Sequence, residues 1–212
     1  MKTVKAYVRK GLYGLASVLF VLHIGTSFAG EQQNPQELIQ STLLTLQQDI
    51  SAQHASLQAS PRKLFELVKR VVMPHLDVNY MAALTVGPMW RSASQSERNA
   101  FIEEFGLLLT RAYANALLKV TDYTLTFKPL APGWASKQFV AVSGTIQSKS
   151  GSQQPSAVVY YLVHVKGEWK IYDFVVDGVS FLQNYRAQFQ SFTDLKTLTK
   201  KLSHMNQEAG SA

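Results

Sequence analysis

Along this chain the spacing of apolar positions changes once. From Asn34 to about Lys119 apolar residues recur every three or four positions, and from Tyr123 to Asp177 they recur every second position. The first spacing places them on one face of a helix and the second on one face of a strand. Asn34-Pro35-Gln36-Glu37 supplies a cap, a first-turn proline and a glutamate, and Ile39, Leu43, Leu46 and Ile50 then mark a helix to about Gln53. Ser60-Pro61 opens a second helix, with Leu64, Leu67, Val68, Val71 and Val72 inward and Pro74 as its stop. A short third helix covers Asp77 to Val86 and ends at Gly87-Pro88, with Trp90-Arg91 in a turn. Ser94-Gln95-Ser96-Glu97 is a capping box. It starts the longest expected helix, on which Phe101, Phe105, Leu108, Leu109, Ala112 and Ala116 share a broad apolar face to about Lys119.

Four strands follow in this reading. They are Tyr123 to Phe127, Phe139 to Gln147, Ala157 to Lys166 and Glu168 to Asp177, with a hairpin connection at Ser148 to Ser152. After Gly178 the helical spacing returns at Phe181, Leu182, Tyr185, Phe189 and Phe192, and again at Leu195, Leu198, Leu202 and Met205. Helices followed by consecutive strands indicate an α+β fold. The expectation is a helical N-terminal half packed on a curved, antiparallel, four-stranded sheet, an NTF2-like roll enclosing an apolar cavity where the helices do not fill it. The helical part spans 34–119, the sheet 122–177 and the C-terminal helices 179–205, all within one domain of residues 30–212.

The first 29 residues are of another kind. Lys2, Lys5, Arg9 and Lys10 precede an apolar run from Leu12 to Ile24, and Ser27-Phe28-Ala29 has small residues where a signal peptidase reads. This predicts export with cleavage after Ala29. The whole chain has 21 basic and 14 acidic residues, a net +7; without the four leader cations it has 17 against 14, a net +3. So mild a charge argues against a nucleic-acid binder, whose footprint is a clustered basic face. The chain has no cysteine, which excludes thiolate metal sites and cysteine nucleophiles.

Candidate chemistry is sparse. His54, His75, His164 and His204 show no metal-ligand spacing. Gly178-Val179-Ser180-Phe181-Leu182 looks like a nucleophile elbow, but Leu182 stands where the elbow needs glycine, and Ser180 reads better as a helix cap. Asp173 and Asp177 lie four apart and could pair for acid and base work; alternating polar residues on an exposed strand face give the same pattern. Tyr113, Tyr123, Phe127, Tyr160, Tyr161, Trp169, Phe174, Tyr185 and Phe189 are mostly core material, and spacing alone leaves open whether the space between helices and sheet is filled.

Tyr172-Asp173-Phe174-Val175-Val176-Asp177-Gly178-Val179-Ser180, with Asn184-Tyr185-Arg186-Ala187-Gln188-Phe189 after it, resembles the signature of the MlaC family, the toluene-tolerance or periplasmic phospholipid-shuttle proteins. Pro74 and Asp77, then Gly87, Trp90-Arg91-Ser92-Ala93, Phe101, Phe105 and Tyr113, are similar to that family's helical motif. The resemblance implies a monomeric periplasmic carrier with phospholipid as cargo, no cofactor and no catalysis. It would work between an outer-membrane lipoprotein and porin complex and an inner-membrane ABC transporter with an MCE-type subunit, so keeping the outer membrane asymmetric. Carried over by position, Val179 is the first candidate for a cavity wall. Periodicity adds Phe105, Leu109, Tyr113, Val142, Leu162, Phe174, Leu182 and Tyr185. Two alternatives stay open: a small-molecule enzyme using Asp173 or Asp177, and an adaptor whose helices bind envelope proteins.

Overall fold

The computed structural model describes residues 33–210; the expected leader, with the cleavage expected after Ala29, lies outside them. Helix α1 (Pro35–Gln58) starts where Asn34 caps it, its side-chain oxygen accepting from the Gln36 amide at 2.9 Å. It runs past Gln53, where the backbone leaves helical geometry (φ −131°, ψ 19°) and the helix kinks. Helix α2 (Pro61–Val71) is capped by Ser60 and buries Leu64, Leu67, Val68 and Val71. Helix α3 (Val78–Val86) is capped by Asp77, and Trp90-Arg91 falls within a short helix, α4 (Pro88–Ser92), rather than in a turn. The two meet at Gly87, whose φ of +53° suits a residue without a Cβ. The capping box forms as read, with Ser94 and Glu97 bonding reciprocally, and starts α5 (Gln95–Leu118).

The sheet has five strands in consecutive order, all pairs antiparallel: β1 (Tyr123–Phe127), β2 (Phe139–Ser148), β3 (Ser156–Val165), β4 (Glu168–Val176) and β5 (Val179–Ser180). The expected α+β architecture is present, with one strand more than expected. The fifth exists because Asp177 (φ +48°) and Gly178 (φ +84°) make a two-residue turn that folds Val179 and Ser180 back onto Val176 and Val175. Helix α6 (Phe181–Phe189) therefore starts at Phe181 and not at Val179, and α7 (Leu195–Gly210) follows.

Three regions of the core frame the site, beside a small cluster of Leu64, Val68 and Ala114 between α2 and α5. An aromatic core joins α3, α5, α6 and α7 around Phe101, Phe105, Tyr185 and Phe189, with Phe105 and Tyr185 edge to face at 5.7 Å. A second region lies where Leu38 and Ile39 of α1 cover Val142, Leu162, Trp169 and Ile171. In a third, α1, α2 and the end of α5 pack through Ile50, Leu57, Leu67 and Val71. The space left between these regions is the site.

Candidate functional site

The cavity lies between α5 and the sheet and has a volume of about 510 Å³. From α5 it is lined by Leu109, Thr110, Tyr113, Ala116 and Leu117, a single stripe on the helix. Thr110 and Ala116 are small, so that stripe does not fill the space in front of it. Opposite stand Val158 and Tyr160 of β3, with Ile171, Phe174 and Val176 of β4. Leu43 of α1, Val68 of α2 and Val72 just after it close one side, and Tyr123, Leu125 and Ile146 close the other.

The lining residues that are themselves exposed, Ala116 and Lys119, lie at the end of α5. They stand with Tyr123 and Val176, both at the end of the sheet that carries the β2–β3 and β4–β5 turns. The mouth is here. The deep end is formed by Met73, Leu76 and Ile171, where the Asp77 amide donates to the Ile171 carbonyl at 2.9 Å and closes the edge of β4.

The cavity has few polar groups. The Thr110 hydroxyl is used within its helix, donating to the Gly106 carbonyl at 2.8 Å. Tyr123 turns its hydroxyl outward to Gln153 at 3.2 Å. The Tyr113 hydroxyl lies beside that of Tyr185, and each perturbs the other's ionisation; burial is the larger cause in raising both pKa values. Tyr160 is different. Its hydroxyl has no partner among the described residues, and burial alone pushes its pKa up to about 12. Its side chain is one of those lining the cavity. Lys119 brings the only charged side chain in the lining and, among the described residues, forms no ion pair.

Of the nine residues singled out in the sequence, Leu109, Tyr113 and Phe174 line the cavity. Phe105, Leu182 and Tyr185 do not, because they pack within the aromatic core behind it. Val142 and Leu162 face inward as the strand period requires, but the start of α1 covers them. Val179 is a correction: it is 67% exposed and stands outside the wall, since the β4–β5 turn puts it beside Val176 at the rim. Lys119 and Tyr160 had no place among the nine.

Asp173 and Asp177 have structural tasks. Asp173 is buried; its Oδ1 accepts from the amides of Phe174 (2.9 Å) and Leu182 (3.0 Å), and its Oδ2 accepts from the Ser180 hydroxyl (2.7 Å). Ser180 in turn caps α6 by accepting from the Gln183 amide at 3.1 Å. The Asp177 carboxylate accepts from the Ala157 amide at 2.8 Å, tying the β4–β5 turn to β3. Neither carboxylate lines the cavity. Among the described residues no cluster of histidine, aspartate or glutamate is arranged to hold a metal ion, and no helix is long and apolar enough to cross a membrane.

The family profile described as MlaC protein matches residues 40–207. The chain belongs to the MlaC family. Among its curated MlaC-family relatives is the intermembrane phospholipid transport system binding protein MlaC of Haemophilus influenzae, 23% identical over 207 residues and 94% of each chain. Another is the toluene tolerance protein ttg2D of Pseudomonas putida, 25% identical over 86% of this chain and 80% of that protein. The fold is shared with a phospholipid-binding protein from Ralstonia solanacearum solved in complex with a phospholipid. That likeness has a TM-score of 0.74 at 23% identity and covers 84% of this chain and 99% of the other.

Proposed function

We propose that this protein is a periplasmic phospholipid carrier that holds acyl chains between α5 and the sheet and makes no covalent change to them. The observation that supports this most is an apolar cavity open at one end with a single charged residue in its lining. Each methylene withdrawn from water is worth ~0.8 kcal/mol, so a palmitoyl chain carries on the order of 10 kcal/mol and must be covered in transit. A methylene has roughly the ~30 Å³ share of a liquid water, so one such chain is about what 510 Å³ accommodates. Relatives named for phospholipid transport and a neighbour solved with a phospholipid support the same cargo. By family likeness, the carrier works between an outer-membrane lipoprotein and porin complex and an inner-membrane ABC transporter with an MCE-type subunit. Its cleaved leader would deliver it to the periplasm.

The enzyme reading loses support because Asp173 and Asp177 are engaged in holding α6 and the β4–β5 turn. The adaptor reading needs a filled interior.

Native mass spectrometry of protein purified from cells without detergent, followed by organic extraction, tests the proposal. The expected result is a discrete added mass that extracts as phospholipid. Ala116→Trp places a bulky group at an exposed position of the mouth, and this variant is expected to fold and to lose that mass. A bare polypeptide that takes up no lipid from supplied liposomes would overturn the reading.

A further inference from the structure

Among the described residues, the two polar side chains of the cavity lining without partners lie at different depths. Lys119 is at the mouth, the exposed residue that follows α5 as its C-cap. Tyr160 is one strand step further in than Val158, with Phe174 opposite it on β4. An unpaired, largely buried hydroxyl is unfavourable unless something bonds to it. A hydrocarbon wall needs neither group.

We infer that Lys119 and Tyr160 set the register of the cargo, Lys119 pairing with the phosphodiester at the mouth and Tyr160 donating to the ester carbonyl at the top of an acyl chain. The inference rests on the carrier reading above and adds to it the two side chains that fix how deep the lipid sits. In a glycerophospholipid the phosphate and the first ester carbonyl are separated by the glycerol. A cation at the rim and a hydroxyl one step below it match that order. Below the ester the chain has only methylenes, and deeper in the cavity the Thr110 hydroxyl is taken up within its own helix, the Tyr113 hydroxyl lies beside that of Tyr185, and Met73, Leu76 and Ile171 are apolar. A phenol is well suited to the deeper place, because it is a neutral donor across the physiological range. An ammonium is well suited to the rim, where its charge stays hydrated until the phosphate arrives.

The test measures competition against a pyrene-labelled phosphatidylglycerol for the wild type, Tyr160→Phe and Lys119→Gln. The competitors are dipalmitoyl phosphatidylglycerol, its ether-linked counterpart and dipalmitoylglycerol, all presented in the same neutral vesicles. The wild type is expected to prefer the ester lipid over the ether lipid by about 3- to 10-fold, the range of one net hydrogen bond, and Tyr160→Phe is expected to bring that ratio to about one. The preference for phosphatidylglycerol over dipalmitoylglycerol is expected to fall about 3-fold or more in Lys119→Gln, together with much of its salt dependence. Unchanged ratios in both variants would overturn the register while leaving the carrier reading intact. Failure of the wild type itself to bind the labelled lipid would overturn the carrier reading and the register with it. A thermal midpoint for each variant close to the wild type's confirms that the ratios report binding rather than misfolding.

Discussion

Asp173 belongs to the family-like signature and could be taken for a catalytic carboxylate, yet its oxygens hold the first turn of α6 against β4. Asp173→Ala would leave the buried Leu182 amide without an acceptor and release Ser180. The expected cost is about 2–4 kcal/mol in urea unfolding, because charge-assisted bonds to buried amides are among the stronger ones. Val179 makes the opposite case. Being exposed, Val179→Glu is expected to unfold within about 0.5 kcal/mol of the parent. At the rim beside Val176 its carboxylate would stand near the lipid phosphate, so the folded variant is expected to purify with less bound phospholipid, scored by extraction. Leu109, Tyr113 and Phe174 were legible in the sequence because their periodicity points them inward. The same periodicity points Val142 and Leu162 inward, and only the course of α1 separates a covered position from an open one. Tyr160 read as one more core aromatic and Lys119 as the end of a helix. What could have marked them is a phenol in inward register between Val158 and Leu162, and a cation closing a helix face that carries the small residues Thr110 and Ala116.

Among the elements, the helices were read well because their start signals are local: Asn34, Ser60, Asp77, Ser94 and Ser180 each cap the helix they precede. The misses came where tertiary contact decides. The run of α1 past Gln53 and the two-residue β5 depend on partners distant in sequence or on a turn with positive φ, neither of which periodicity registers. Strand β1 carries Tyr123 and Leu125 into the cavity wall and pairs with β2 at Gly144, opposite Phe127. A Cβ on Gly144 would come within 2.5 Å of the Thr126 carbonyl, closer than such atoms approach. Gly144→Ala is therefore expected to pry β1 from β2 and to destabilise by roughly 1–3 kcal/mol. Faster hydrogen exchange at the Phe127 and Gly144 amides than across the β3–β4 pair would check the location.

At the scale of the whole molecule, sheet, helices and cavity form a container with one end closed by backbone hydrogen bonding at Asp77 and Ile171 and the other left open. That the fold class could be read from spacing, while the cavity came in with the family resemblance, has a physical reason: burial patterns fix which side of an element is inward, while an empty volume is a difference between packed surfaces. The open end also has a kinetic consequence. If the mouth is pressed against an acceptor with its own apolar channel, each methylene that leaves the wall enters another wall before the next one moves. The barrier is then a few methylenes wet at any instant, at ~0.8 kcal/mol each, rather than a whole chain in water. Transfer of a labelled lipid to acceptor vesicles should accordingly speed up in proportion to their concentration; a rate indifferent to acceptor concentration would mean that the lipid crosses free water and that docking is not part of its exit. An open-ended container of this kind works by contact, and how fast it empties is set by how often it is met.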